Sequence, residues 1–161
     1  MTKISEIMTE KVMTVSKTKP LKEIVKLMAN SKISSIIVTD KGRVVGILTE
    51  RDLLKKVTLD NPNLSKKSLD KVMTPDPMTV NSHSDIGEAS QLMHDKNVRH
   101  LPVVDNEQLV GLVTQTDIVK EANKIHHKNV TFMTYQNIQT VIIILFFVFF
   151  IGYLLYKYYF G

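Results

Sequence analysis

The sequence predicts an α+β protein: two copies of one β-α-β-β-α unit packed together through their sheets, followed by a single C-terminal transmembrane helix. Three observations carry this expectation. At a shift of 65 residues the chain matches itself without a gap, Met8–Lys55 against Met73–Lys120, with 15 of the 48 pairs identical. Within each copy, short β-branched apolar runs alternate with segments whose apolar residues recur at helical spacing. From Val141 onward, 16 residues, VIIILFFVFFIGYLLY, pass without a charge.

Each copy opens on a short extended piece, Val12–Val15 or Met78–Val80. A helix follows. In the first copy its apolar positions are Leu21, Ile24, Val25, Leu27 and Met28, with Pro20 suited to the first turn. In the second they are Ile86, Ala89, Leu92 and Met93, with Ser84 as the expected cap. Next come SSIIVTD and RHLPVVD, too short for helices, then a turn (Asp40–Arg43; Asp105–Gln108), then VVGIL and LVGLV. Two apolar runs about a tight turn make a hairpin. A final helix begins at Thr49 or Thr114. The expected boundaries are 1–58 and 71–125 for the two copies, with a polar linker at 59–70. A tether follows at 126–140 and the membrane helix at 141–160. A unit of about 50 residues buries little surface by itself, so the copies must pack on each other.

Composition narrows the function. Cysteine is absent, which removes disulfides, thiolate catalysis and cysteine-bound metal. His94, His126 and His127 have no carboxylate or imidazole partner at ligand spacing and read as surface residues. The net charge of +5 comes from lysines scattered along the chain, which reads as a solvated surface. All six Phe and five Tyr lie from Phe132 onward, so the first 131 residues offer no ring on which a nucleic-acid base could stack. No nucleic-acid partner is expected.

The uncharged run alone would make a helix of about 24 Å, short of a bilayer core of about 30 Å. Continuing it to Phe160 closes the gap, because Lys157 stands near the end and can snorkel to the interface. Tyr153, Tyr156, Tyr158 and Tyr159 are placed as an aromatic belt, and Lys120, Lys124, His126, His127 and Lys128 precede the run. By the positive-inside tendency the expected arrangement is a single-pass C-terminal anchor with the repeats in the cytoplasm.

The heptads GILTERD (Gly46–Asp52) and GLVTQTD (Gly111–Asp117) hold the candidate chemistry. Threonine followed three residues later by aspartate reads first as a helix capping box. Glycine inside a strand marks a bulge or a close approach by another group. A helix N-terminus also suits phosphate, and a carboxylate can accept from both hydroxyls of a ribose. Together with an aliphatic slot for a base, these groups describe a nucleotide site.

The two copies resemble CBS motifs, and the pair resembles a tandem CBS (Bateman) module. The likeness rests on VMT near each start, VTD and PVVD in the first hairpin strands, and the two heptads. It implies pseudo-two-fold packing, two clefts, frequent homodimers, and binding of AMP, ADP, ATP or S-adenosylmethionine as a regulatory ligand with no required cofactor. By that resemblance Thr49 and Asp52 serve one cleft, with Arg51 adding charge and Thr14, Val15, Ser35, Ile36 and Ile37 around the base. Thr114, Thr116 and Asp117 serve the other, with Thr79, Val80, Leu101 and Pro102 around the base and Arg99 and His100 toward phosphate. The second set is the better furnished with phosphate-binding groups, because Ser34 and Ser35 stand where Arg99 and His100 do.

The chain carries no GxxxxGK[ST], HExxH or GxSxG, so a binding module is expected and not an enzyme. The leading expectation is a membrane-anchored adenosyl-ligand sensor that signals to a membrane-protein partner. The alternative is a dimerisation or docking scaffold whose clefts are vestigial.

Overall fold

A computed structural model describes residues 2–59 and 68–160, without the side chains of 57–59, 126–135, 155–157, 159 and 160. The chain divides into two compact units, Met1–Val119 and Lys120–Gly161.

In the first unit each repeat builds the expected hairpin. Strand β2 (Ser35–Asp40) pairs antiparallel with β3 (Arg43–Thr49), and β5 (His100–Asp105) pairs in the same way with β6 (Gln108–Thr114). Both turns are two-residue loops, Lys41-Gly42 and Asn106-Glu107, with φ positive at each residue. Left-handed loop residues match the right-handed twist of the strands they join. One extra residue bulges from each second strand, Val45 and Val110, directly before the repeated glycine. On the outer side, β1 (Thr14–Ser16) runs parallel to β2 and joins Val15 to Val38. The second repeat reproduces this as a single parallel bridge between Val80 and Val103.

The opposite edge of each sheet is completed by the other repeat. Helix α3 (Leu69–Val72) leads into β4 (Thr74–Pro75), which pairs with β3 of the first hairpin, Thr74 against Ile47. Reciprocally, Thr9 bridges Leu112 of β6, with backbone hydrogen bonds of 2.9 and 3.0 Å in the two directions. Each leading segment thus crosses to the partner repeat, in the same register plus 65. The repeated glycines make this crossing possible. A Cβ on Gly46 would lie 2.5 Å from Met73 Sδ, and one on Gly111 would lie 2.5 Å from Met8 Sδ.

The apolar cores follow the crossing. One gathers Val15, Leu21, Ile24, Met28, Ile36, Val38 and Leu48 with Leu69, Val72 and Met73 from beyond the linker. The other gathers Val80, Ala89, Met93, Leu101, Val103 and Val113 with Ile4 from the start of the chain. Burying a large aliphatic side chain stabilises by roughly 1.5–3 kcal/mol, so each core depends on the other repeat's lead. The sequence copies and the packed cores are therefore different sets of residues. Of the expected linker, 60–67 lies outside the described residues, while Leu69 and Asp70 are helical and Leu69 is buried.

Helix α1 (Leu21–Ser31) starts after Pro20, which is its N-cap and not part of its first turn. Helix α4 (Ile86–Asp95) is capped by Asp85, where the sequence pointed to Ser84. The Asp85 carboxylate accepts from the amides of Gly87 (2.8 Å) and Glu88 (3.1 Å), a stronger pair of charge-assisted bonds than a hydroxyl one residue earlier would make. Both helices end in left-handed residues, Lys32 and Asn97. After the hairpins, α2 (Glu50–Leu53) passes into a π-helical segment, Leu54–Leu59, and α5 spans Gln115–Phe160.

In the second unit, Gln136–Leu154 is long and apolar enough to cross a membrane by length and composition. Its described apolar side chains, Phe146, Phe149 and Leu145 among them, are exposed. The tether expected at 126–140 lies within α5 and is helical.

Candidate functional site

Two helix caps with matching geometry stand at the repeated heptads. Thr49 N and Oγ1 donate to Asp52 Oδ2 at 3.0 and 2.6 Å, and Asp52 N donates back to Thr49 Oγ1 at 3.3 Å. Thr114 and Asp117 repeat these bonds at 2.9, 2.6 and 3.3 Å. The amide that opens each helix donates to the residue entering its own hairpin: Glu50 N to Ser34 O and Gln115 N to Arg99 O, both at 3.0 Å. That bond fixes Ser34 and Arg99 beside the caps. It explains why chemistry at positions 34 and 99 belongs to the same place as the heptads.

The caps differ in the second carboxylate oxygen. Asp52 Oδ1 accepts from the Thr74 hydroxyl at 3.3 Å and faces Lys56 Nζ at 4.0 Å. Lys56 also donates to the carbonyls of Val72 and Met73, both at 3.1 Å, tying α2 and the turn after it to the segment that crossed over. In the second repeat Glu121 stands at the position equivalent to Lys56.

A cleft of about 610 Å³ opens where the repeats meet. Thr49, Glu50, Arg51 and Asp52 line it from the first repeat, and Lys96, Arg99, His100, Thr114 and Thr116 from the second. The crossing segment adds Thr74, Asp76, Pro77 and Met78. Arg99, His100 and Thr114, grouped by the sequence in one cleft, therefore share a space with Thr49 and Asp52, grouped in the other. Arg51 and Thr116, assigned to separate clefts, also share it. The cleft is composite because the ends of the two hairpins meet, Ser34 against His100, and the leading segment of the second repeat closes it with Thr74, Asp76, Pro77 and Met78.

The expected base-binding groups, Thr14, Val15, Ser35, Ile36, Ile37, Thr79, Val80, Leu101 and Pro102, are not among the residues that line this cleft. Val15, Ile36, Ile37, Val80, Leu101 and Pro102 are buried in the cores, and Ser35 is buried with them. Strand β1 occupies the sheet edge opposite β4, so Thr14 stands on the far side from the β3–β4 edge. Asp117 caps its helix without lining the cleft. Thr74, Asp76, Met78 and Lys96 are lining residues that sequence reasoning missed. Thr74 carried a signal in the shared Met-Thr of Met8-Thr9 and Met73-Thr74, but only the strand pairing shows which sheet it joins.

His100 is half-buried in this wall, and its Nε2 lies 3.3 Å from Ser34 Oγ of the other repeat. Burial holds its imidazole below the ordinary value, and the Arg99 guanidinium pushes in the same direction. The carboxylates of Asp117 and Glu50 oppose them less strongly. No group of three or more His, Asp or Glu side chains among the described residues is placed to hold a metal ion.

The CBS domain family matches the chain twice, over residues 4–59 and 69–124. The chain belongs to the CBS-domain family. YhcV, a CBS domain-containing protein of Bacillus subtilis (strain 168), is 30% identical over 140 residues, 86% of this chain and 99% of that protein. An uncharacterised protein of Methanopyrus kandleri is 37% identical over 119 residues, 73% of this chain but only 61% of its own length. The CBS pair of protein MJ0100, solved with 5-methylthioadenosine and S-adenosyl-L-methionine, is 26% identical with a TM-score of 0.67 and covers 74% of this chain and 98% of that chain. CBS domains are typically regulatory and non-catalytic, and no enzymatic family is indicated.

Proposed function

We propose that this CBS pair binds an adenosyl ligand of the AMP, ADP, ATP or S-adenosylmethionine class in the composite cleft, as a signal and not as a substrate. The observation that carries the reading is the meeting of the Thr49/Asp52 cap with Arg99 and His100 of the other repeat around one space of about 610 Å³. That volume falls within the range of small-molecule sites. Adenosyl ligands in the CBS pair of MJ0100 support the same class here. Because the cleft is shared between repeats, a ligand with unequal affinity for two arrangements of the repeats would shift their balance.

The apolar span Gln136–Leu154 supports a second part of the proposal: it anchors the CBS pair to a membrane, where a homodimer acts on a membrane-protein partner. Flotation of the full chain with lipid vesicles, lost on deleting 136–160, tests the anchor. For the ligand, the full chain in detergent is melted against AMP, ADP, ATP and S-adenosylmethionine. A ligand at 100 times its dissociation constant adds about 2.7 kcal/mol. Arg99→Gln, an exposed substitution, is expected to reduce the shift for phosphorylated ligands and leave the unliganded melt unchanged.

One observation favours the scaffold reading. No buried side-chain polar atom among the described residues lacks a partner, and Asp52 is already engaged by Thr49, Thr74 and Lys56. A cooperative melt that no adenosyl ligand moves would select that reading.

A further inference from the structure

The adenosyl reading leaves open how the cleft accommodates the charge of its ligand. Its charged lining groups are balanced: Arg51, Lys96 and Arg99 stand against Glu50, Asp52 and Asp76. Asp52 is further tied to its cap and to Thr74. A phosphate entering this space adds negative charge to a lining whose formal charges already cancel. His100 is the one lining side chain that can change charge near neutral pH.

Its surroundings allow both states. Toward it stand Arg99 on its own strand and Ser34 across the repeat boundary. The acidic groups facing it are Glu50 from α2 and Asp117 from α5. The Ser34 hydroxyl can donate to a neutral ring nitrogen or accept from a protonated one, so the 3.3 Å contact survives either way. Burial and Arg99 hold the imidazole below its ordinary value, favouring the neutral ring. A phosphate nearby reverses that balance, because an adjacent opposite charge favours the charged form.

We propose that His100 makes nucleotide binding in this cleft proton-linked: it takes up a proton as a phosphate-bearing adenosyl ligand enters, while adenosine binds without that uptake. The inference rests on the adenosyl reading and adds to it the ligand's chemical class and its coupling to pH.

The test is calorimetric titration of the full chain in detergent at pH 7, in two buffers of different ionisation heat. AMP, ATP, adenosine and S-adenosylmethionine serve as probes, and His100→Gln as the variant. The expected result is a fraction of a proton taken up per AMP or ATP in the wild type beyond that in the variant, and none with adenosine. The nucleotide's own phosphate ionisation is common to both proteins, so the difference isolates His100. A parallel measurement needs no variant: the NMR titration of the His100 ring should move to higher pH when AMP is present. Binding of AMP with the same proton count in both proteins, or an unmoved ring titration, overturns the proposal and leaves the adenosyl reading intact. Binding of S-adenosylmethionine alone does the same. No binding by any probe sinks both.

Discussion

The two repeats share the pattern of pairings that holds backbone to backbone and differ in most of the side chains that line the cleft. Val15 meets Val38 as Val80 meets Val103, Thr74 meets Ile47 as Thr9 meets Leu112, and Met73 lies over Gly46 as Met8 lies over Gly111. Against this, Ser34 stands where Arg99 does, Arg51 where Thr116 does, and Ser35 where His100 does. Packing constrains both members of a reciprocal exchange, because each repeat supplies the other's sheet edge. The cleft has no such constraint, since one composite space needs only one set of polar groups. Symmetry here is a property of the scaffold, and the lining of the cleft departs from it.

The largest effect should come from the core. Ile24 is fully buried, and its equivalent Ala89 is fully buried too. The two cores therefore solve the same position with different volumes. Ile24→Ala is expected to cost about 2–5 kcal/mol by leaving a cavity. Ala89→Ile should cost about 1–3 kcal/mol by overpacking. Chemical denaturation measures both. A near-neutral result for either would mean that the cores can exchange volume and that the repeats are more alike than their packing suggests.

Next come the glycines. Gly111→Ala and Gly46→Ala each place a Cβ 2.5 Å from a methionine sulfur, and in Gly111 it also lies 3.2 Å from the Thr9 carbonyl. A side chain can yield where backbone cannot, so Gly111→Ala should cost more, within about 1–3 kcal/mol. The exchange is tested by a double-mutant cycle: Met8→Ala should recover part of the cost of Gly111→Ala, and Met73→Ala part of that of Gly46→Ala. Strictly additive pairs would break the claim that the glycines exist for the crossing methionines.

Much of this was legible in the sequence. The shift of 65 gave the hairpins and the Thr-x-x-Asp caps, because those features depend on neighbours within one copy; the strand glycines signalled a close approach, but the methionine that makes it comes from the other repeat. The crossing was not legible. A leading segment such as Met73-Thr74 can pair equally well, by its own residues, with the edge of either sheet, and nothing local records the choice. The role of Thr74 follows from that ambiguity, since only the crossing brings it to the cleft that Arg99, His100 and Thr114 share with Thr49 and Asp52. The Asp85 cap was missed for a different reason, since Ser84 and Asp85 are adjacent cap formers and only the helix phase separates them.

A smaller effect sharpens the contrast between His100 and the non-titrating Ser35. The folded state holds the imidazole below its ordinary value near 6.5, so the unfolded chain binds the proton more tightly. Stability then rises with pH across this window: the neutral ring's contribution is present above about 6.5 and is lost as pH falls through the folded value. His100→Gln should flatten the stability profile over that interval and leave the rest unchanged. An identical slope in wild type and variant would show that the unliganded cleft does not discriminate between the two states of the ring.

The smallest expected effect compares the two hairpin turns. Gly42 and Glu107 occupy the same turn position, both at positive φ, +83° and +63°. Glycine adopts that region without penalty, while an L side chain pays about 1–2 kcal/mol. Glu107 recovers little of this through its 3.2 Å pair with Arg43, because both groups are well exposed and such pairs contribute about 0–1 kcal/mol. Glu107→Gly, which makes the loop Asn-Gly, is therefore expected to stabilise the chain by a net amount under about 1 kcal/mol, with the entropy of a freer unfolded chain taking the remainder. The converse, Gly42→Ala, should destabilise: φ is unfavourable, and its Cβ would lie 3.2 Å from Gln108 Oε1. Thermal unfolding of both variants at high salt, where the Arg43 pair is screened, separates strain from charge. If Glu107→Gly lowers the melting temperature there, the second turn is held by something other than the backbone geometry it shares with the first.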